Sequence, residues 1–461
     1  MRRPGVVIGC LLAAACAPAI PPLPPGSAVI PPAGWRTAAG PTATLQQGWW
    51  RLFGDTVLDA LVGRALANNS DVAIAVARVQ EARAQEALAR SQLLPSLDLG
   101  LGATRQRSVG PLGTPTTSTA IQPVFQAAYE VDLFGRIGNQ VEAARQGFLA
   151  SEAARDAAAL SVAAATATGY ITLRALDARL TIAQTTLTDR AEAVRIARNR
   201  ARVGYTSDLE MRQAEADYAA TAQLVPQLQL AISREEDALS VLVGSNPFPI
   251  PRGRDIRAIA RPAVPDTLPS ELLRRRPDIA ETEFTLAASD ATLAAAQAQF
   301  LPQINLSATA GSVISSALGN PVTIWSIGGS VLEPIFNGGR NRANFSTAEA
   351  RREQAAFSYR RTVLNAFREV EDNLAAVQRL REQRADLEAQ SAALTSAVQH
   401  ARNRYEAGYS SYLEQLDAQR ALLTAELALV QTEADQLNAI VGVFQATGGG
   451  WSADKLRAGQ S

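Results

Sequence analysis

The sequence predicts a mainly α-helical chain with membrane β-strands, built as an internal duplication of long antiparallel helices and four strands. Three observations predict it. Landmarks recur at a period of about two hundred residues. Two proline-free stretches are long enough for helices of about 100 Å. Each is preceded by a pair of strands with one apolar and one polar face.

The duplication rests on three matched landmarks in the same order. SQLLPSLDLGLGAT (Ser91 to Thr104) resembles AQFLPQINLSATAG (Ala298 to Gly311), placing Pro95 on Pro302 at an offset of 207. DLFGRIGNQ from Asp132 resembles IFNGGRNRA from Ile335, placing Arg136 on Arg340 at an offset of 204. ARNRARVGYTSDLE from Ala197 matches ARNRYEAGYSSYLE from Ala401, again offset by 204. The plan that follows is a segment 17–54, a first repeat 55–245 and a second repeat 278–446. Between them lies a proline-rich linker 246–277, and a tail 447–461 closes the chain. Seven prolines, from Pro247 to Pro277, bar a continuous helix in the linker, which is expected to wrap the outside.

The strands show a period of two. After Pro302, Ile304, Leu306, Ala308 and Ala310 alternate with Gln303, Asn305, Ser307 and Thr309. After Pro95, Leu97, Leu99, Leu101 and Ala103 oppose Ser96, Asp98, Gly100 and Thr104. Return strands are expected about Thr119 to Phe134, carrying Phe125, Tyr129 and Val131, and Val322 to Phe336, carrying Trp325, Ile327 and Val331. The hairpins thus cover about 96–134 and about 303–336. A half-buried soluble sheet has the same alternation. Hairpins launched from very long helices favour a membrane instead. Four strands cannot close a barrel there, since about eight are the minimum and open edges are forbidden in lipid, so several chains must contribute.

The helical shafts are expected over 139–203 and 341–407, each returning in a second helix, over 208–243 and 411–446. The first is rich in alanine, the best helix former. Helices this long have no single globule to lie on and must pack along their whole length. Gly204-Tyr205 and Gly408-Tyr409 mark tight turns, because glycine accepts the left-handed stop and Ser207, Asp208 or Ser411 can cap the next helix. An ordinary coiled-coil scaffold shares this composition but has no reason to interrupt its helices with amphipathic hairpins.

Composition excludes several classes. Basic and acidic residues balance at 44 each, so no net field draws the chain to nucleic acid. His400 is the single histidine and Cys10 and Cys16 are the only cysteines, which leaves no metal site, no Ser-His-Asp triad and no cofactor motif in view; no enzyme is expected. Gly338-Gly339 lacks the lysine of a phosphate loop and reads as a strand-to-helix bend. Residues 1–16 read as an export signal, with Arg2 and Arg3 before an apolar stretch that ends at Cys16.

GWWRLFGDTVLDALV from Gly48, YEVDLFGR from Tyr129, LPSELLRRRPDIA from Leu268 and AGYSSYLEQLDAQRALL from Ala407 together make the chain resemble the TolC-like outer membrane efflux proteins, especially their NodT-type lipoprotein branch. The resemblance implies a homotrimer with a twelve-stranded outer-membrane barrel, a twelve-helix periplasmic barrel and a collar of linker and terminal segments. It implies acylation at Cys16, placing the protein in the outer membrane with a lipid anchor and reaching into the periplasm. It also implies docking through the tips, Gly204, Tyr205, Gly408 and Tyr409, to a periplasmic adaptor joined to an inner-membrane, proton-driven pump that exports small molecules. In that branch the pattern YL-x3-D-x2-R forms the closed periplasmic constriction, here Tyr412, Leu413, Asp417 and Arg420. Leu413, Asp417 and Arg420 project from one helical face. The first repeat has Leu209, Gln213 and Ala216 in their place, so the charged features belong to the second repeat only. A duct for protein secretion and a non-membrane helical scaffold are the alternatives.

Overall fold

The computed structural model describes residues 17–37, 47–109, 113–265 and 268–453. The first helices are α1 (Thr56–Asn68) and α2 (Ser70–Ser91), followed by the hairpin β1 (Ser96–Val109) and β2 (Pro115–Val131). The shaft α3 (Arg136–Arg202) returns as α4 (Asp208–Ala222) and α5 (Leu224–Leu242). The second repeat runs α6 (Pro269–Arg275), α7 (Pro277–Ala298), β3 (Gln303–Ser315), β4 (Val322–Leu332), the shaft α8 (Arg340–Glu406) and α9 (Tyr412–Ala446). Both shafts are 67 residues long, about 100 Å at 1.5 Å per residue.

Local chemistry sets these bounds. Asp55 caps α1, its Oδ1 accepting from the Val57 and Leu58 amides at 2.8 and 3.2 Å. Asn69 ends α1 and caps α2 by accepting from the Asp71 amide at 2.8 Å. α3 starts at Arg136, three residues before the expected 139, because Asp132 accepts from the Ile137 and Gly138 amides at 3.1 and 2.6 Å. The same capping ends β2 at Val131, short of the expected Phe134, and Pro334, which has no amide to donate, follows the end of β4 at Leu332. The stretch 208–243, expected as one helix, is two. Pro226 removes the amide that would bond to the Ala222 carbonyl, and the helix breaks at Gln223.

The chain divides into two compact units. The first holds 77–152 and 281–361 with the segment before Val29. Its four strands pair antiparallel in the order β1-β2-β3-β4, leaving β1 and β4 as open edges. The register aligns Leu99, Phe125, Ala310 and Trp325 in one row, and Leu97, Ala127, Ala308 and Ile327 in the next. Asp98, Gln126, Thr309 and Ser326 share the other face. Leu97, Trp325 and Ile327 are 71%, 74% and 79% exposed, so nothing among the described residues covers the apolar face. β2 and β3 approach closely at Gly311, where a Cβ would come within 2.2 Å of the Pro123 carbonyl. Below the strands, Leu293, Ala296, Phe345 and Ala348 form a small core with Phe300. The N-terminal segment lies along α7 and α8: Arg352 bonds to Asp290 and to the Pro21 carbonyl, and Gln297 donates to the Pro18 carbonyl at 2.9 Å.

The second unit holds 29–76, 153–280 and the chain from Thr362. Trp49, 1% exposed, stacks on Phe444 at 5.4 Å. The linker after Pro251 is tied down by ions and by one buried carboxylate. Arg252 pairs with Asp177 and Glu236, and the Asp55 Oδ2 accepts from the Tyr170 hydroxyl at 2.9 Å and the Arg254 amide at 2.8 Å. Burial pushes the Tyr170 hydroxyl far above its ordinary value. By length and composition α3 contains one stretch able to cross a membrane, but half of that stretch is buried inside the protomer. Its apolarity is that of an alanine-rich packing helix.

Candidate functional site

Five residues separate α3 from α4, and five separate α8 from α9. In each turn glycine takes the left-handed conformation, at φ 74° for Gly204 and 79° for Gly408. The next amide then reaches back five residues: Tyr205 donates to the Arg200 carbonyl and Tyr409 to the Arg404 carbonyl, both at 2.9 Å. That geometry turns both tyrosines outward, 74% and 81% exposed. Ser207 caps α4 through the Glu210 amide at 3.4 Å, whereas Ser411 occupies the cap of α9 without a side-chain bond.

Behind the turns the two hairpins pack around Val194, Ala197, Ala214, Tyr405, Tyr412 and Leu416. The Tyr405 and Tyr412 rings meet at 5.6 Å, and the Arg200 guanidinium lies 4.6 Å from the Tyr405 ring and 5.9 Å from that of Tyr205. Burial pushes both the Tyr405 and Tyr412 hydroxyls above their ordinary value, with nearby guanidiniums, Arg200 and Arg190 respectively, pulling the other way.

Charge is concentrated one step further along. Arg190 on α3 is 1% exposed, and its Nε lies 2.7 Å from the Oδ2 of Asp217 on α4, itself 4% exposed. The other oxygen, Oδ1, accepts from the Arg420 Nε of α9 at 2.8 Å. Arg190 also donates to Gln419 of α9. One buried carboxylate therefore joins three helices and both repeats. The Arg190 guanidinium is inside, while the Arg420 side chain keeps 52% of its surface.

The structure brings Leu413, Asp417 and Arg420 to the exposed side of α9, opposite the buried Tyr412, Gln415 and Leu416. Arg420 pairs with Asp217 and not with Asp417, which has no ion pair among the described residues. Sequence reading alone misses Asp217 and Arg190. The signal was available in the repeat, since the offset of 204 sets the uncharged Ala421 and Leu394 opposite them and marks two charges present in one repeat only. Gly338 and Gly339, both at positive φ (64° and 85°), form the bend into α8. His400 is exposed on α8, and among the described residues no three metal-ligating side chains gather. Cys16 lies outside the described residues.

A sequence model of the outer membrane efflux protein family matches residues 61–245 and 268–449. The pyoverdine export outer membrane protein OpmQ of Pseudomonas putida is 34% identical over 447 residues, covering 94% of this chain and 95% of its own. The cation efflux system protein CusC of Escherichia coli is 34% identical over 410 residues, covering 88% of each. Among solved structures, the outer-membrane channel OprN aligns with a TM-score of 0.85 at 32% identity, over 91% of this chain and 97% of that one.

Proposed function

The chain belongs to the outer membrane efflux protein family, and from that premise we propose that it is the outer-membrane channel of a tripartite efflux system, a passive conduit assembled from three copies. The observation that carries the assembly is the four-stranded sheet with an uncovered apolar face and two open edges. Lipid offers no partners for those edge amides and carbonyls, so the edges must pair with other copies. Three sheets of four strands make a closed barrel of twelve. The shafts of three copies line a periplasmic barrel, and the linker with the terminal segments forms its collar.

The exposed tips at Tyr205 and Tyr409 are the docking surface for a periplasmic adaptor, through which an inner-membrane, proton-driven pump delivers small molecules. The named cargoes of the relatives, pyoverdine and cations, differ in chemistry, which fits a conduit whose selectivity lies in the pump. No bond is made or broken in such a path. Acylation at Cys16 would add a lipid anchor. The periplasmic gate is built from Leu413, Asp417 and Arg420, held shut through the Arg420–Asp217 pair, and three-fold symmetry gathers each of them into a ring.

The full-length protein is expected to fractionate with outer membranes as a heat-dissociable trimer and to form channels in planar bilayers. Asp417→Ala with Arg420→Ala is expected to raise single-channel conductance by loosening the closed end. A soluble monomer would refute the conduit, and unchanged conductance in an assembled double variant would refute the gate assignment.

A further inference from the structure

The apolar face of the sheet ends in two arginines that nothing among the described residues engages. Along β1, Leu97, Leu99, Leu101 and Ala103 share a face, and the alternation continues through Arg105 and Arg107 to Val109. Apolar rows begin at Val131, Ile304 and Val331 and reach Ile121, Ala103 and Ile314. That is ten residue steps along β2, about 34 Å of strand and about 26 Å of height at a tilt of about 40°. A hydrocarbon layer as crossed by barrels is about 25 Å. Arg105 stands opposite Thr119 and Arg107 opposite Thr117, so they rise about 5 and 10 Å beyond the apolar band.

Both side chains are exposed and have no hydrogen-bond or ion-pair partner among the described residues. The acid nearest in sequence, Asp98, belongs to the opposite face. The end in question is the one remote from the helices that carry the strands, because α2 leads into β1 at Ser96 and α3 leaves from Val131. It is therefore the outer end of the barrel. A cation that points along the lipid-facing side just above the hydrocarbon meets headgroups, and the anionic groups of the outer leaflet are the phosphates of its glycolipid. Charge complementarity and height agree on one occupant.

We propose that Arg105 and Arg107 form a binding site for the phosphate groups of outer-leaflet glycolipid, which fixes the depth of each sheet in the membrane. The inference rests on the membrane-channel reading and adds to it a lipid partner and the residues that hold it. Because β1 is an edge strand, the site recurs beside each junction between copies. Arginine suits it, since the planar fork donates to two phosphate oxygens at once.

The test uses the full-length trimer in detergent, titrated with bisphosphorylated lipid A and read by native mass spectrometry. Binding is expected to fall about five-fold for each arginine lost, about 25-fold for Arg105→Gln with Arg107→Gln. The Arg105→Lys, Arg107→Lys pair should keep most of it. Lipid A stripped of both phosphates should bind the wild type as weakly as the intact lipid binds the glutamine variant. Equal binding of intact and dephosphorylated lipid A overturns the site even if the glutamine variant fails to assemble. Displacement by an equal concentration of inorganic phosphate overturns the lipid assignment. A wild type that forms no channel in bilayers overturns the membrane reading and this site with it, whereas a conducting wild type without phosphate preference overturns the site alone.

Discussion

Arg190 and Arg420 grip the same carboxylate from environments that differ in exposure, and the difference decides what each one does. Arg190 is buried against Asp217, so removing it leaves the buried carboxylate with only the half-exposed Arg420, at a cost of up to about 3 kcal/mol. The Arg420 side chain is 52% exposed, and its loss costs under about 1 kcal/mol. Urea unfolding of the detergent-solubilised protein should accordingly show a large fall in midpoint for Arg190→Ala and a small one for Arg420→Ala. The reverse order would remove Arg190 as the anchor. Glu235 on α5 is a second residue with a directional consequence. Burial alone holds its carboxyl above the usual carboxylate range. Its contribution to stability is full below the ordinary glutamate value of about 4.3 and is lost as pH rises through the raised one. Glu235→Gln should flatten that decline in the urea midpoint between acid and neutral pH, and an unchanged slope would contradict it.

Among the elements, the hairpin turns show how sequence becomes placement. Gly204 and Gly408 are left-handed, so a Cβ at either is strained by about 1 to 2 kcal/mol. Gly408→Ala should speed amide exchange in the last turn of α8 while strand amides stay as they were. Protection unchanged at Tyr409, whose amide closes the helix end at 2.9 Å, would show that the stop does not depend on glycine. The shafts behind these turns need neighbours on more than one side, and their small residues allow it: Ala163, Ala164 and Ala167 are buried within one protomer. Pro226 acts in the opposite sense, dividing the return helix of the first repeat where the second repeat keeps α9 whole.

For the whole molecule the decisive fact is that the described residues of one protomer leave the apolar face of the sheet uncovered. A protein in water buries Leu97, Leu99, Trp325 and Ile327; here all four remain exposed on a sheet with two free edges. A charge on that face should be costly, about 2 to 4 kcal/mol near the mid-plane, and the cost is repeated in every copy. Leu99→Arg should therefore deplete heat-dissociable trimer in outer-membrane fractions. Asp98→Arg, one residue away on the polar face, should not. Equal yields would mean that the Leu99 face does not meet lipid.

Much of this was legible in the chain. The offset of 204, the period-two strands and the proline-free shafts follow from covalent facts, since proline cannot continue a helix and alternation fixes which side of a strand is apolar. The two helix-to-helix turns were legible because glycine is the residue that relieves a left-handed stop. The sequence could not supply pairing between segments distant along it. That β2 joins β3, that the Arg420 side chain reaches Asp217 rather than Asp417, and that Arg190 is buried beneath them were decided by packing, where a charge takes the partner that lies closest when desolvated. A sequence states what each face of an element prefers; only the fold determines which faces meet.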